Sequence, residues 1–88
     1  MMPSSQIEAA PIVPVTFKND RTTPLTFVLE PWGEEYTMPP QSEVRVEFSG
    51  PEAHWPLIEW GEDIITVYGW SGSTARVFMD GQELGAGA

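Results

Sequence analysis

Apolar and polar side chains alternate along most of this chain. Val15 and Phe17 alternate with Thr16 and Lys18, Leu25, Phe27 and Leu29 with Thr26, Val28 and Glu30, and Val44, Val46 and Phe48 with Arg45 and Glu47. A two-residue period puts one set of side chains on each face of a strand. No window carries apolar residues at i, i+3, i+4 and i+7, the spacing that an amphipathic helix requires. The expected fold is therefore all-β.

Turn signals divide the pattern. Asn19 to Pro24 is a polar turn between the first two strands. Pro31 has no N–H for a ladder and Gly33 tolerates unusual dihedrals, so the second strand should stop there and Glu34–Met38 should start a short third. Pro39-Pro40 ends that one, and Ser49 to His54 forms the loop after the fourth. Further strands are expected over Pro56–Trp60 and Ile64–Trp70, the second a candidate for the sheet centre because both its faces are apolar. Alternation leaves two arrangements open for it: both faces covered, or aromatics presented outward. Thr74–Met79, Asp80-Gly81 and Gln82–Leu84 read as a terminal hairpin, since Asp-Gly favours the positive dihedrals of a tight two-residue turn. The sum is a small antiparallel β-sandwich or partly open barrel of about seven short strands. No internal repeat accompanies the strand rhythm.

Eighty-eight residues suffice for one small domain. The aperiodic, Pro- and Ala-rich opening and the closing Gly85-Ala86-Gly87-Ala88 read as mobile tails, giving a tail over 1–12, a domain over 13–84 and a tail over 85–88. Cysteine is absent, so neither disulfides nor thiolates support the core, and nothing points to an oxidising compartment. The opening residues lack the basic region and apolar core of a secretory signal, and no run approaches membrane-spanning length. A cytoplasmic location is the expectation. The net charge of −9 would repel phosphate backbones and anionic membrane faces, so neither nucleic acid nor membrane is an expected partner.

Candidate chemistry is sparse. Gly69-Trp70-Ser71-Gly72-Ser73 approaches the nucleophile-elbow pattern but has Ser73 where glycine is required, and it precedes no helix. It reads as an ordinary turn. His54, with Glu52 two residues away, would need further ligands from Glu30, Glu34 or Asp63 to make a metal-dependent enzyme. Two residues do not make a site, so no metal or cofactor is assigned. Glu30 and Glu34 stand across the Pro-Trp-Gly turn, where an acid and base pair of glycosidase type could in principle form, but solvation of the turn explains them as well.

Four tryptophans in so short a chain carry more weight. Indole offers large area at low entropic cost, and when exposed beside acids it can stack a sugar or anchor a protein contact. A core without disulfides also needs bulky residues, which assigns Trp60 and at least one of Trp32 and Trp70 to the interior. Trp32 and Trp55 flank prolines at turns and are the candidates for exposure. With Glu30, Glu34 and Tyr36 they make an acidic, aromatic edge.

The segments Val15-Thr16-Phe17-Lys18-Asn19, Leu25–Leu29, Met38-Pro39-Pro40 and Val44-Arg45-Val46 resemble the opening strands of small cupredoxin-like domains and of uncharacterised bacterial all-β domains. The resemblance covers under half the chain and implies a sandwich topology. It implies no copper site, because the thiolate is absent and His54 is the sole imidazole. The expected function is thus a non-enzymatic interaction module whose surface at Glu30, Trp32, Glu34, Tyr36 and Trp55 binds a protein partner or a second copy of itself. The alternatives are a carbohydrate-stacking module and, more remotely, the metal-dependent enzyme using His54.

Overall fold

The computed structural model describes residues 11–52 and 55–87. Eight strands are formed: β1 (Ile12–Lys18), β2 (Leu25–Glu30), β3 (Glu34–Met38), β4 (Glu43–Ser49), β5 (Leu57–Trp60), β6 (Ile64–Tyr68), β7 (Thr74–Met79) and β8 (Gln82–Gly87). They make two four-stranded sheets, ordered β1-β4-β7-β8 and β3-β2-β6-β5. The sheets remain open, with β1, β8, β3 and β5 at their edges, and pack as a sandwich. Each of the eight segments read from the alternation and the turns forms a strand, one more than the expected total of about seven, and the four-residue β5 pairs with β6. Among the described residues no helix is long and apolar enough to cross a membrane.

Pairing is antiparallel except between β2 and β6, which run parallel from Thr26↔Ile64 to Glu30↔Tyr68. Parallel neighbours need a crossover, and here the chain makes it by passing through β4 of the other sheet. As expected, β6 lies inside its sheet. Its Ile65 and Val67 are fully buried, while Ile64, Thr66 and Tyr68 face outward. The strand stops at Tyr68, so Trp70 is free of the alternation and turns back towards Phe48, with ring centroids 5.9 Å apart.

The alternation that predicted the strands also built the core. Phe17, Val44, Val46, Phe48, Ala75 and Val77 come from one sheet, and Leu25, Phe27, Leu29, Met38, Ile65 and Val67 from the other. Phe17 meets Phe27 edge-on across the layers, centroids 5.3 Å apart. Each fully buried side chain of this size contributes about 1.5–3 kcal/mol of transfer free energy, so the two facing sets are the dominant stabilising term.

Loops are locked by polar groups that the core excludes from water. The buried Asn19 amide donates to the carbonyls of Thr23, Met38 and Pro39, and its Oδ1 accepts from the Arg21 N–H. That one side chain joins the β1–β2 and β3–β4 loops. Asp80 and Gly81 take φ values of 49° and 84°, the left-handed pair expected of the β7–β8 turn, and Asp80 Oδ1 accepts from the Glu43 N–H at 2.9 Å. Both ends of the regular structure extend past the expected boundaries. Strand β1 opens at Ile12, and β8 pairs Gly85, Ala86 and Gly87 with Val77, Arg76 and Ala75. A ladder uses backbone groups, so small residues can continue it.

Candidate functional site

The residues expected to form one acidic, aromatic edge are divided by the fold. Tyr36 faces inward from β3, stacked on Phe27 at 5.4 Å with 21° between ring planes. Its hydroxyl donates to Glu34 Oε1 at 2.7 Å. Burial, followed by that hydrogen bond and the negative charge of Glu34, pushes the phenol up to about 12. Trp32 stacks on Phe48 at 6.5 Å and 19°, half-buried at the core margin. It fits because Gly69 lacks a side chain: a Cβ there would stand 3.1 Å from Trp32 Cη2 and 3.1 Å from Phe48 Cε1.

Glu30 ends β2 on the outer face, ahead of a cis peptide bond to Pro31. Glu34 lies opposite the core-facing Leu29, so the two carboxylates leave the sheet on opposite sides. The geometry does not gather them as an acid and base pair. Asp63 is engaged by Arg21 at 2.9 Å. His54 lies outside the described residues. Among the described residues no three His, Cys, Asp or Glu side chains stand close enough to hold a metal ion. The Gly69–Ser73 segment is a turn whose Ser73 Oγ is buried and bonded to the Trp70 backbone, donating to its carbonyl and accepting from its N–H.

Of the expected surface aromatics, Trp55 is the exposed one, at 91%. On β5 and the start of β6 the structure also exposes Leu57 at 60%, Trp60 at 61% and Ile64 at 39%. Trp60 thus corrects the expectation of a core position. It shares the inward side of the sheet with Ile65, but β5 is the sheet edge and no further strand covers it there. The signal lay in Trp55-Pro56-Leu57-Ile58-Glu59-Trp60, where apolar residues fall on both parities: a short segment of that kind at an edge cannot bury them all.

The other edges differ. Strand β1 carries Pro14 mid-strand, β3 is followed by Pro39-Pro40, and β8 opposes a register irregularity at Val77/Phe78. Each device discourages strand addition. Ile12 and Leu84 are the single large apolar side chains that β1 and β8 expose.

Charge is segregated between the two outer faces. On the β1-β4-β7-β8 sheet, Lys18, Arg45 and Arg76 interleave with Glu43, Glu47 and Glu83, and ion pairs join Arg45 to Glu47 at 2.7 Å and Arg76 to Glu83 at 2.8 Å. An open depression of about 340 Å³ lies on this self-neutralised face, lined by Glu43, Arg45, Glu47, Phe78 and Gly81. The outer face of the other sheet carries no base. Its register rows are Leu57, Tyr68 and Glu30, then Glu59, Thr66, Val28 and Glu35, then Ile64, Thr26 and Thr37. Tyr68 donates to Glu59 Oε1 at 2.6 Å, which raises the pKa of the phenol above its usual value.

Fold and surface together define a small open β-sandwich with one uncovered apolar strand edge. No protein-family model, curated protein or solved structure matches the chain.

Proposed function

We propose that this chain is a non-enzymatic interaction module and that its docking surface is the β5 edge, centred on Trp55, Leu57 and Trp60. The observation that carries this reading is that Trp55, Leu57 and Trp60 are all largely exposed along one sheet edge, Leu57 from the outer face of β5 and Trp60 from its inner one. Scattered exposed apolar residues are ordinary on protein surfaces, whereas two exposed tryptophans along one strand edge offer the rigid anchors on which protein contacts concentrate. The acidic residues stay in the site as its rim, with Glu59 and Glu30 in place of Glu34. Neither nucleic acid nor an anionic membrane suits a surface that carries acids and no bases.

Affinity capture from source-cell extract, comparing the wild-type chain with the Trp55→Ala/Trp60→Ala double variant, tests this directly. The module reading expects a discrete bound protein that the double variant loses. Identical capture by both chains would refute it. A second reading, stacking of a sugar ring on Trp55, draws on the 91% exposure of that residue. It expects indole fluorescence to change across a glycan panel and Trp55→Ala to abolish the change.

A further inference from the structure

We propose that β5 accepts an extended, basic segment of a partner protein as an additional strand of its sheet. The inference rests on the reading of β5 as the docking edge and adds the mode of binding and the chemistry of the partner.

The mode follows from the backbone. The Gly61 N–H donates to the Ile64 carbonyl at 2.7 Å, which fixes the phase of the β5–β6 ladder. Bonded and non-bonded pairs alternate along an antiparallel ladder, so Leu57 and Glu59 also turn their backbone groups to β6. Ile58 and Trp60 therefore present one N–H and one C=O each to the open side. Among the described strands β6 is the sole partner of β5. An incoming strand would complete these groups, and its alternate side chains would fall beside Leu57 and Glu59 on the outer face and beside Ile58 and Trp60 on the inner one.

The chemistry follows from charge. Glu59 lies on β5, Glu62 follows it, and Glu30 and Glu35 occupy the same outer face. Arg21, which reaches the β5–β6 turn, is already paired there with Asp63. Lys18, Arg45 and Arg76 belong to the opposite sheet, where they are interleaved with Glu43, Glu47 and Glu83. A second copy of this chain, itself at a net charge of −9, would bring a second set of acids, Glu59 and Glu62 among them, to the same edge. A strand with lysine or arginine over the outer face and apolar residues beside Trp60 complements both the charge and the exposed apolar area.

The test uses the full chain, isotopically labelled, with three short capped peptides as probes. One alternates lysine with valine, the second alternates glutamate with valine, and the third is the lysine peptide N-methylated at alternate backbone amides. The lysine peptide is expected to perturb the Ile58 and Trp60 amides saturably and to bind at least about tenfold more tightly than the glutamate peptide, with the difference shrinking as salt is raised. N-methylation on the ladder-forming edge should abolish binding while leaving the side chains intact. The Glu59→Gln/Glu62→Gln double variant should weaken binding of the lysine peptide several-fold.

Equal binding by the N-methylated peptide would overturn strand addition, and equal binding by the glutamate peptide would overturn the basic partner. A free chain that sediments as a dimer with Ile58 and Trp60 amides already protected would assign the edge to a second copy instead. Failure of the peptides while the Trp55→Ala/Trp60→Ala variant still loses its captured protein would remove strand addition and keep the docking edge. Unchanged capture would remove both.

Discussion

Asn19 shows how much a single polar residue can decide in a chain of this size. Its side chain is buried, and its amide serves three carbonyls, of Thr23, Met38 and Pro39, at the ends of the β1–β2 and β3–β4 connections. Asn19→Ala would remove this donor from the Thr23 and Met38 carbonyls, while that of Pro39 keeps its bonds from Ser42, and is expected to destabilise the fold by about 2–4 kcal/mol, readable as a shifted urea midpoint at unchanged slope. A variant with an unchanged midpoint would show that the clamp is dispensable. The two tyrosines make a second prediction. In the unfolded chain both phenols ionise near 10, whereas folded Tyr36 keeps its proton to about 12 and Tyr68 is raised in the same direction. The unfolded chain then binds fewer protons than the folded one, so the stability that Tyr36 contributes is complete below pH 10 and is lost as pH climbs from 10 to about 12. Tyr36→Phe should flatten that decline, and an absorbance titration of the wild type should show no phenol ionising at its ordinary value.

Strands and turns were legible because their determinants are local. The alternation in Val44–Phe48 and the Asp80-Gly81 turn need only neighbours to be understood. Close approaches between distant turns were not legible, since they depend on which segments meet. A Cβ on Gly50, whose φ is 155°, would stand 2.8 Å from the Gly72 carbonyl oxygen and 2.9 Å from Ser73 Cα. Gly69 has a similar constraint from Ser73 Oγ, Phe48 and Trp32. Gly50→Ala and Gly69→Ala are each expected to lower stability by about 1–3 kcal/mol. Gly81→Ala meets nothing within 4 Å at a φ of 84° and should cost about 1 kcal/mol from the dihedral alone. Thermal unfolding of the three variants checks the ranking, and a Gly81 variant weaker than the other two would contradict it.

Across the molecule, the same open sandwich that buries two facing sets of apolar side chains leaves one strand edge rich in exposed apolar side chains and one outer face without a base. The division of the tryptophans is the part that sequence could not supply. Trp32 reaches the core because Gly69, distant in sequence, makes room for it, while Trp60 misses the core because β5 ends a sheet. Acrylamide quenching of Trp→Phe variants should therefore fall into two classes, with Trp55 and Trp60 accessible and Trp32 and Trp70 shielded. Equal quenching of all four would contradict the packing. The charge arrangement was equally hidden: composition shows the excess of acids but not that Lys18, Arg45 and Arg76 share one sheet and leave the other face without a base. That asymmetry selects the partner proposed for β5.

Amide hydrogen exchange along β5 tests the central claim most directly, because it reads the ladder itself. In the free chain the amides of Glu59 and Gly61 should be protected by β6 while those of Ile58 and Trp60 exchange freely, and addition of the lysine–valine peptide should slow the latter pair. Protection of Ile58 and Trp60 before any peptide is added would mean that the edge is already covered, and the account of β5 as an open docking strand would be wrong.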